Sequence, residues 1–145
     1  MILNRSTLKI SATELIVGVL SLLYLIGIRV WFPVCPVMSE MIMSCHWAGA
    51  MLKALSVLLF VLSVVHMLVP DWKIQLGMDL AMLGAAALTA CVPGGVIRLC
   101  ADAGMACRHN TQPWNLAFCA AMLLALLADL FFLRARIAQD AHRRT

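Results

Sequence analysis

The sequence predicts an all-α fold, a bundle of four transmembrane helices built from two in–out–in hairpins with disulfide-stapled outer loops. Three observations lead there. The 145-residue chain is 63% hydrophobic and 12% charged, with a mean hydropathy of +0.96, too apolar for an ordinary soluble domain. Four stretches, residues 14–31, 47–69, 74–97 and 114–133, approach the ~20 apolar residues that a bilayer-spanning helix needs. Finally, two sulfur-bearing segments mirror each other between the paired spans: Cys35-Pro-Val-Met-Ser-Glu-Met-Ile-Met-Ser-Cys45-His46, and Cys100-Ala-Asp-Ala-Gly-Met105-Ala-Cys107-Arg108-His109. Little chain remains outside this plan, so residues 1–145 read as one polytopic membrane domain.

Each element has its own signals. Residues 1–13 form a short polar start, with Ser11 or Thr13 as the expected cap of the first helix. No Ala-x-Ala-like cleavage site follows the first apolar run, which therefore reads as an uncleaved span. Pro33 and Pro36 end it and open the first outer loop, residues 32–46. The second span ends before Pro70-Asp71-Trp72-Lys73, a tight turn. The third weakens at Val92-Pro93-Gly94-Gly95, a predicted break, and leads into the second outer loop, residues 98–113. Pro113 suits the first turn of the fourth helix, where a missing N–H costs nothing. Trp31, Trp47, Trp72 and Trp114 fall at the span boundaries, as an aromatic belt requires. The third span is rich in small residues, Gly77, Ala81, Gly84, Ala85, Ala86 and Ala87. Such residues let helices approach closely in lipid, and they predict that this helix is the most buried of the four.

Orientation follows from the basic residues. Arg5, Lys9, Lys73, Arg134, Arg136, Arg143 and Arg144 lie on one side, and Arg29, Arg98 and Arg108 on the other. This bias predicts that both termini are cytoplasmic and both cysteine loops lie outside, where disulfides persist. The basic excess is then a topology signal; no motif supports nucleic-acid binding.

The four loop cysteines pair most simply as Cys35–Cys45 and Cys100–Cys107, although four cysteines allow three connectivities. Each intraloop bridge closes a small ring and contributes roughly 2–3 kcal/mol on chain-entropy grounds. A redox reading competes with these structural staples. Two outward cysteine pairs on a four-helix membrane bundle are similar to quinone-linked, disulfide-generating oxidoreductases. Neither loop, however, has the Cys-x-x-Cys pair such chemistry usually employs. A third reading uses Met38, Met41, Met43, Cys45 and His46, with Met105, Cys107 and His109, as soft ligands for Cu(I). Oxidised cysteines would be poor metal ligands, and Met is also a common apolar filler. Cys91 and Cys119 read as buried thiols within spans.

Ionisable residues inside spans carry the remaining signal. Lys53 lies about two turns below the outer end of the second helix, costing about 2.5–3.5 kcal/mol on insertion scales. Snorkelling to the headgroups or a carboxylate on a partner subunit would satisfy it. Toward the cytoplasmic side, Glu14, His66, Gln75, Asp79 and Asp129 fall on four helices at similar depth. Such a carboxylate–histidine set can relay protons or bind a cation. The simpler reading is helix fastening and pairing with nearby bases, such as Asp129 with Arg134.

No phosphate-binding glycine loop, zinc-protease motif or nucleophile elbow is present, and no catalytic residue is assigned. Met43-Ser-Cys45-His46-Trp47-Ala-Gly49, Pro93-Gly-Gly-Val-Ile-Arg-Leu-Cys100 and Met105-Ala-Cys107-Arg-His-Asn-Thr111-Gln-Pro113 resemble a bacterial four-helix membrane family described only as a domain of unknown function, number four-four-one-eight. Ala48 stands where that family usually carries threonine. The resemblance implies a small multi-pass inner-membrane protein. It further implies a setting beside ATP-driven transporters with large-loop permeases. The expected function is a non-enzymatic accessory subunit of such a transporter or of another membrane complex. The alternatives are a thiol–disulfide oxidoreductase using quinone and a copper-binding protein using the Met/Cys/His loop.

Overall fold

The computed structural model describes residues 5–33, 44–98 and 107–144. Its elements are α1 (Arg5–Val30), α2 (Ser44–Leu68), α3 (Trp72–Cys91), a π-helical turn (Cys107–Thr111) and α4 (Gln112–Arg144). No strand occurs among the described residues, whose only extended pairing is an isolated bridge between Pro93 and Ile97. The helices alternate in direction and pack in a closed ring, each against its neighbours in sequence and α1 against α4. All four are long and apolar enough to cross a membrane, over Thr13–Val30, Ser44–Leu68, Trp72–Cys91 and Cys107–Ala135.

A repeating seam on each helix builds the core. The seam runs through buried Glu14, Val17, Ser21, Tyr24 and Ile28 on α1, and through Leu52, Ser56, Leu59, Ser63 and His66 on α2. On α3 it takes in Asp79, Met82, Ala86 and Thr89; on α4 it takes in Asn115, Cys119, Met122, Leu126, Asp129 and Leu133. These positions alternate in steps of three and four, the spacing of a left-handed antiparallel bundle. The outside is the reverse of a soluble protein, because Leu68, Leu124 and Phe131 are all more exposed than buried, at 77%, 68% and 71%. An apolar exterior around a partly polar seam fits a hydrocarbon solvent. The four tryptophans stand exposed at helix ends, and Lys73 Nζ lies 5.6 Å from the Trp72 ring centroid.

The structure revises several boundaries. The first helix begins at Arg5 rather than near Glu14, since no glycine or proline interrupts residues 5–13. Ser11 and Thr13 are therefore interior residues and not caps. The third helix is capped by Asp71, whose carboxylate accepts from the Lys73 backbone N–H at 3.0 Å. It stops at Cys91 rather than Ile97. Pro93 has no N–H to continue the ladder, and Gly94 takes a φ of 94°, a left-handed conformation natural to glycine. The chain then closes on itself through Gly94 N–H to Ile97 O at 2.9 Å and Ile97 N–H to Val92 O at 3.0 Å.

The expected burial of α3 is overturned. Only 28% of its span is buried within the chain, against 39% for α1. A Cβ added at Gly77 or Gly84 would meet nothing within 4 Å. Small side chains permit close approach, but here Gly77, Ala81, Gly84 and Ala87 face outward, away from the other helices, and only Ala86 lies in the core. Pro113 does sit in the first turn of α4, as its chemistry favours.

Candidate functional site

Near the end of the bundle that carries both termini, each of the four seams contributes an ionisable side chain to one layer. Glu14, His66, Asp79 and Asp129 are each only 1–2% exposed. One ligand atom from each lies within 4.8 Å of all the others. His66 Nε2 approaches Asp79 Oδ1 at 3.1 Å, and His66 Nδ1 approaches Glu14 Oε1 at 3.7 Å. Despite the first distance, His66 Nε2 and both Asp79 oxygens lack an aligned hydrogen bond, as do both Glu14 oxygens. Asp129 differs, because the Thr13 hydroxyl donates to its Oδ1 at 2.5 Å.

The backbone around this layer is held independently. Ser63 Oγ donates to the Glu14 carbonyl at 2.8 Å, tying α2 to α1. Gly18, one turn along from Glu14, leaves room for it; a Cβ there would lie 3.0 Å from Ser63 Oγ. Gln75 does not join the layer. Its side-chain amide instead donates to the Val69 carbonyl at 2.8 Å, closing the turn between α2 and α3. Asp129 makes no ion pair with Arg134, which is exposed. Among the residues whose side chains are described, no lysine or arginine forms an ion pair with Glu14, Asp79 or Asp129.

Chemically, the layer is a compact set of one imidazole and three carboxyl groups with unclaimed lone pairs. Buried polar groups normally find hydrogen-bond partners, and concentrated charge at membrane depth requires a counter-charge. Helix fastening alone would leave fewer oxygens unsatisfied. Thr13, Ser63 and Gly18 carry no distinctive motif, and their roles emerge only when the helices are assembled. The nearest signal is spacing, since Gly18 and Ser63 sit one turn from Glu14 and His66.

A second polar site lies toward the loop end and involves no ionisable cluster. The Tyr24 hydroxyl donates to Asn115 Oδ1, and Asn115 Nδ2 donates to the Thr89 carbonyl at 3.2 Å. The Cys119 thiol reaches Asn115 Oδ1 at 3.7 Å. This network joins α1, α3 and α4 and presents every atom to a partner, as a structural fastener should.

The sulfur constellation is only partly described. Cys35, Cys100, Met38, Met41 and Met43 lie outside the described residues. Cys45 and Cys107 are buried at the loop end, and His46 is half-buried with its ring edge-on to Trp47. No disulfide joins any two of the described cysteines, including Cys91 and Cys119. Lys53 is half-buried, and no described residue forms an ion pair with it.

No curated protein and no solved structure matches the chain. A family model does match: the domain of unknown function DUF4418 covers residues 15–132, from just after Glu14 to just past Asp129, and the chain belongs to that family.

Proposed function

We propose that this protein is a non-enzymatic membrane component that holds a metal cation in the polar layer of its bundle. The observation that carries this reading is the convergence of Glu14, His66, Asp79 and Asp129 from four helices, with unpartnered oxygen and nitrogen atoms in their midst. A bound cation supplies the missing counter-charge and claims those lone pairs. Nothing in the layer is arranged as a nucleophile with its base, which favours holding an ion over transforming a substrate.

The test is thermal unfolding of detergent-purified protein after treatment with a chelator. At least one of Mg²⁺, Ca²⁺, Mn²⁺, Co²⁺ and Zn²⁺ raises the melting temperature of the parent chain by several degrees. The gain disappears in the Asp79→Asn and Asp129→Asn variants. If no cation on the panel stabilises the parent chain, the reading is wrong.

The expected role as a subunit of a larger membrane complex, such as a transporter, is a companion proposal. Its support is the outward-facing Gly77/Gly84 surface of α3 and the absence of an internal partner for Lys53 among the described residues. Gly84→Leu then leaves the isolated chain as stable as before and weakens its recovery in a larger assembly from gently solubilised membranes. A parent chain that runs as a lone monomer under those conditions removes that role.

A further inference from the structure

Resting on that reading, we infer that the ion is a divalent first-row transition metal, held by His66 Nε2 and one oxygen each from Glu14, Asp79 and Asp129. The donor set selects this class, and the spacing agrees with it.

One imidazole nitrogen beside three carboxylate oxygens is a borderline donor set. Ca²⁺ and Mg²⁺ prefer oxygen ligands alone, so the imidazole at 1% exposure is wasted on them. Cu(I) prefers thioether and thiolate sulfur, and no sulfur belongs to this four-residue layer. Mn²⁺, Fe²⁺, Co²⁺ and Zn²⁺ accept mixed nitrogen and oxygen ligation. The copper expectation from the outer loop therefore does not transfer to this site.

Spacing agrees. Metal–ligand bonds of roughly 2.0–2.2 Å place neighbouring ligands roughly 3–3.5 Å apart and opposed ones at most roughly 4.4 Å apart. His66 Nε2 and Asp79 Oδ1 are 3.1 Å apart, suited to neighbouring ligands rather than to a well-aligned hydrogen bond. The full set lies within 4.8 Å, so small side-chain rotations bring the outer members onto an ion. Each carboxylate can offer either oxygen without moving its helix.

One outer partner is also in place. Thr13 holds Asp129 Oδ1 and leaves Oδ2 to turn inward. Glu14 Oε1 lies 3.7 Å from His66 Nδ1, too far to hydrogen-bond to it, so either Glu14 oxygen is free to turn onto an ion. Five buried, unpartnered polar atoms on Glu14, His66 and Asp79 point to a ligand independently of the acidic clustering.

The experiment is titration of chelator-stripped protein, carrying no histidine tag, with Co²⁺ followed by its visible absorption. Metal analysis after equilibration with Zn²⁺ or Mn²⁺ accompanies it. One ion per chain is expected, with a Co²⁺ spectrum of nitrogen and oxygen ligation lacking thiolate charge-transfer bands. His66→Gln lowers the affinity by about a hundredfold, and Thr13→Ala, outside the ligand set, lowers it about tenfold. Thr13→Ala keeps the question open to a negative answer if His66→Gln fails to fold. Stabilisation by Mg²⁺ or Ca²⁺ that equals that by Zn²⁺ and ignores His66→Gln overturns this assignment while leaving a cation site standing. Failure of every cation to bind ends both.

Discussion

Replacing Tyr24 with phenylalanine removes one oxygen from the interior of the bundle and tests whether the loop-end network fastens it. The ring itself stays. Its contacts with Phe32 and Phe118, at centroid separations of 5.8 and 5.5 Å, survive the change. The loss is the hydroxyl donated to Asn115, with both residues at 0% exposure. Asn115 Oδ1 then keeps only the weak thiol donor of Cys119 at 3.7 Å. A net hydrogen bond contributes ~0.5–1.5 kcal/mol in water. Bond deletions inside a bilayer average ~0.6 and reach ~1.7 kcal/mol. Because the abandoned acceptor has little else, the upper half of that range applies, at about 1 kcal/mol. Asn115→Leu also removes the donor to Thr89 and costs about 2 kcal/mol. The two changes share one interaction, so the double variant should lose about 1 kcal/mol less than their sum. Reversible unfolding in mixed micelles, followed by tryptophan fluorescence, measures all four species. Additivity to within ~0.3 kcal/mol would mean that the hydroxyl and the amide are not coupled, and the network described above would be wrong.

Other changes probe other parts of the fold. Gly18→Val places a side chain against Ser63 Oγ, which a Cβ alone would approach to 3.0 Å; it should destabilise the bundle by ~1–3 kcal/mol, read in the same unfolding assay. Leu126→Ala empties a fully buried position and costs about 2–5 kcal/mol. Leu124→Ala, at 68% exposure, should change stability by less than about 0.5 kcal/mol, and equal losses would show that α4 is rotated. Gly94→Ala forces a Cβ onto a φ of 94° and should cost about 1–2 kcal/mol, while Gly84→Ala, where a Cβ meets nothing within 4 Å, serves as the comparison in the melting curves.

The spans were legible because lipid imposes a simple demand. Runs of apolar residues, bounded by Trp31, Trp47, Trp72 and Trp114, have few alternatives once their backbone must satisfy itself. The break at Pro93-Gly94 was legible for the same local reason, although it cuts the helix at Cys91, earlier than hydropathy alone indicates. Hydropathy measures solvent preference and cannot see a missing N–H. The site was half legible. Matching depths brought out Glu14, His66, Asp79 and Asp129, but depth does not reveal which way a side chain points. Gln75 shared the depth and turned to the Val69 carbonyl instead. The Arg134 partnership suggested by proximity in sequence gave way to Thr13, more than a hundred residues away along the chain. Helix 3 shows the same limit in packing. Its glycines and alanines permit an intimate contact, yet composition does not say whether that contact lies inside the chain. The π-helical turn at Cys107–Thr111 has no periodicity long enough to register.

The early stop of α3 has a mechanical consequence for the lipid around it. Twenty residues rise about 30 Å, close to the ~30 Å hydrocarbon thickness of a typical bilayer. The twenty-five residues of α2 rise about 37 Å. The bundle thus has one low wall that matches the lipid, while beside the taller α2 the membrane must thicken or the helix must lean. Either adjustment costs a fraction of a kcal/mol per ångström of mismatch, and α3 is the side on which acyl chains pack without that penalty.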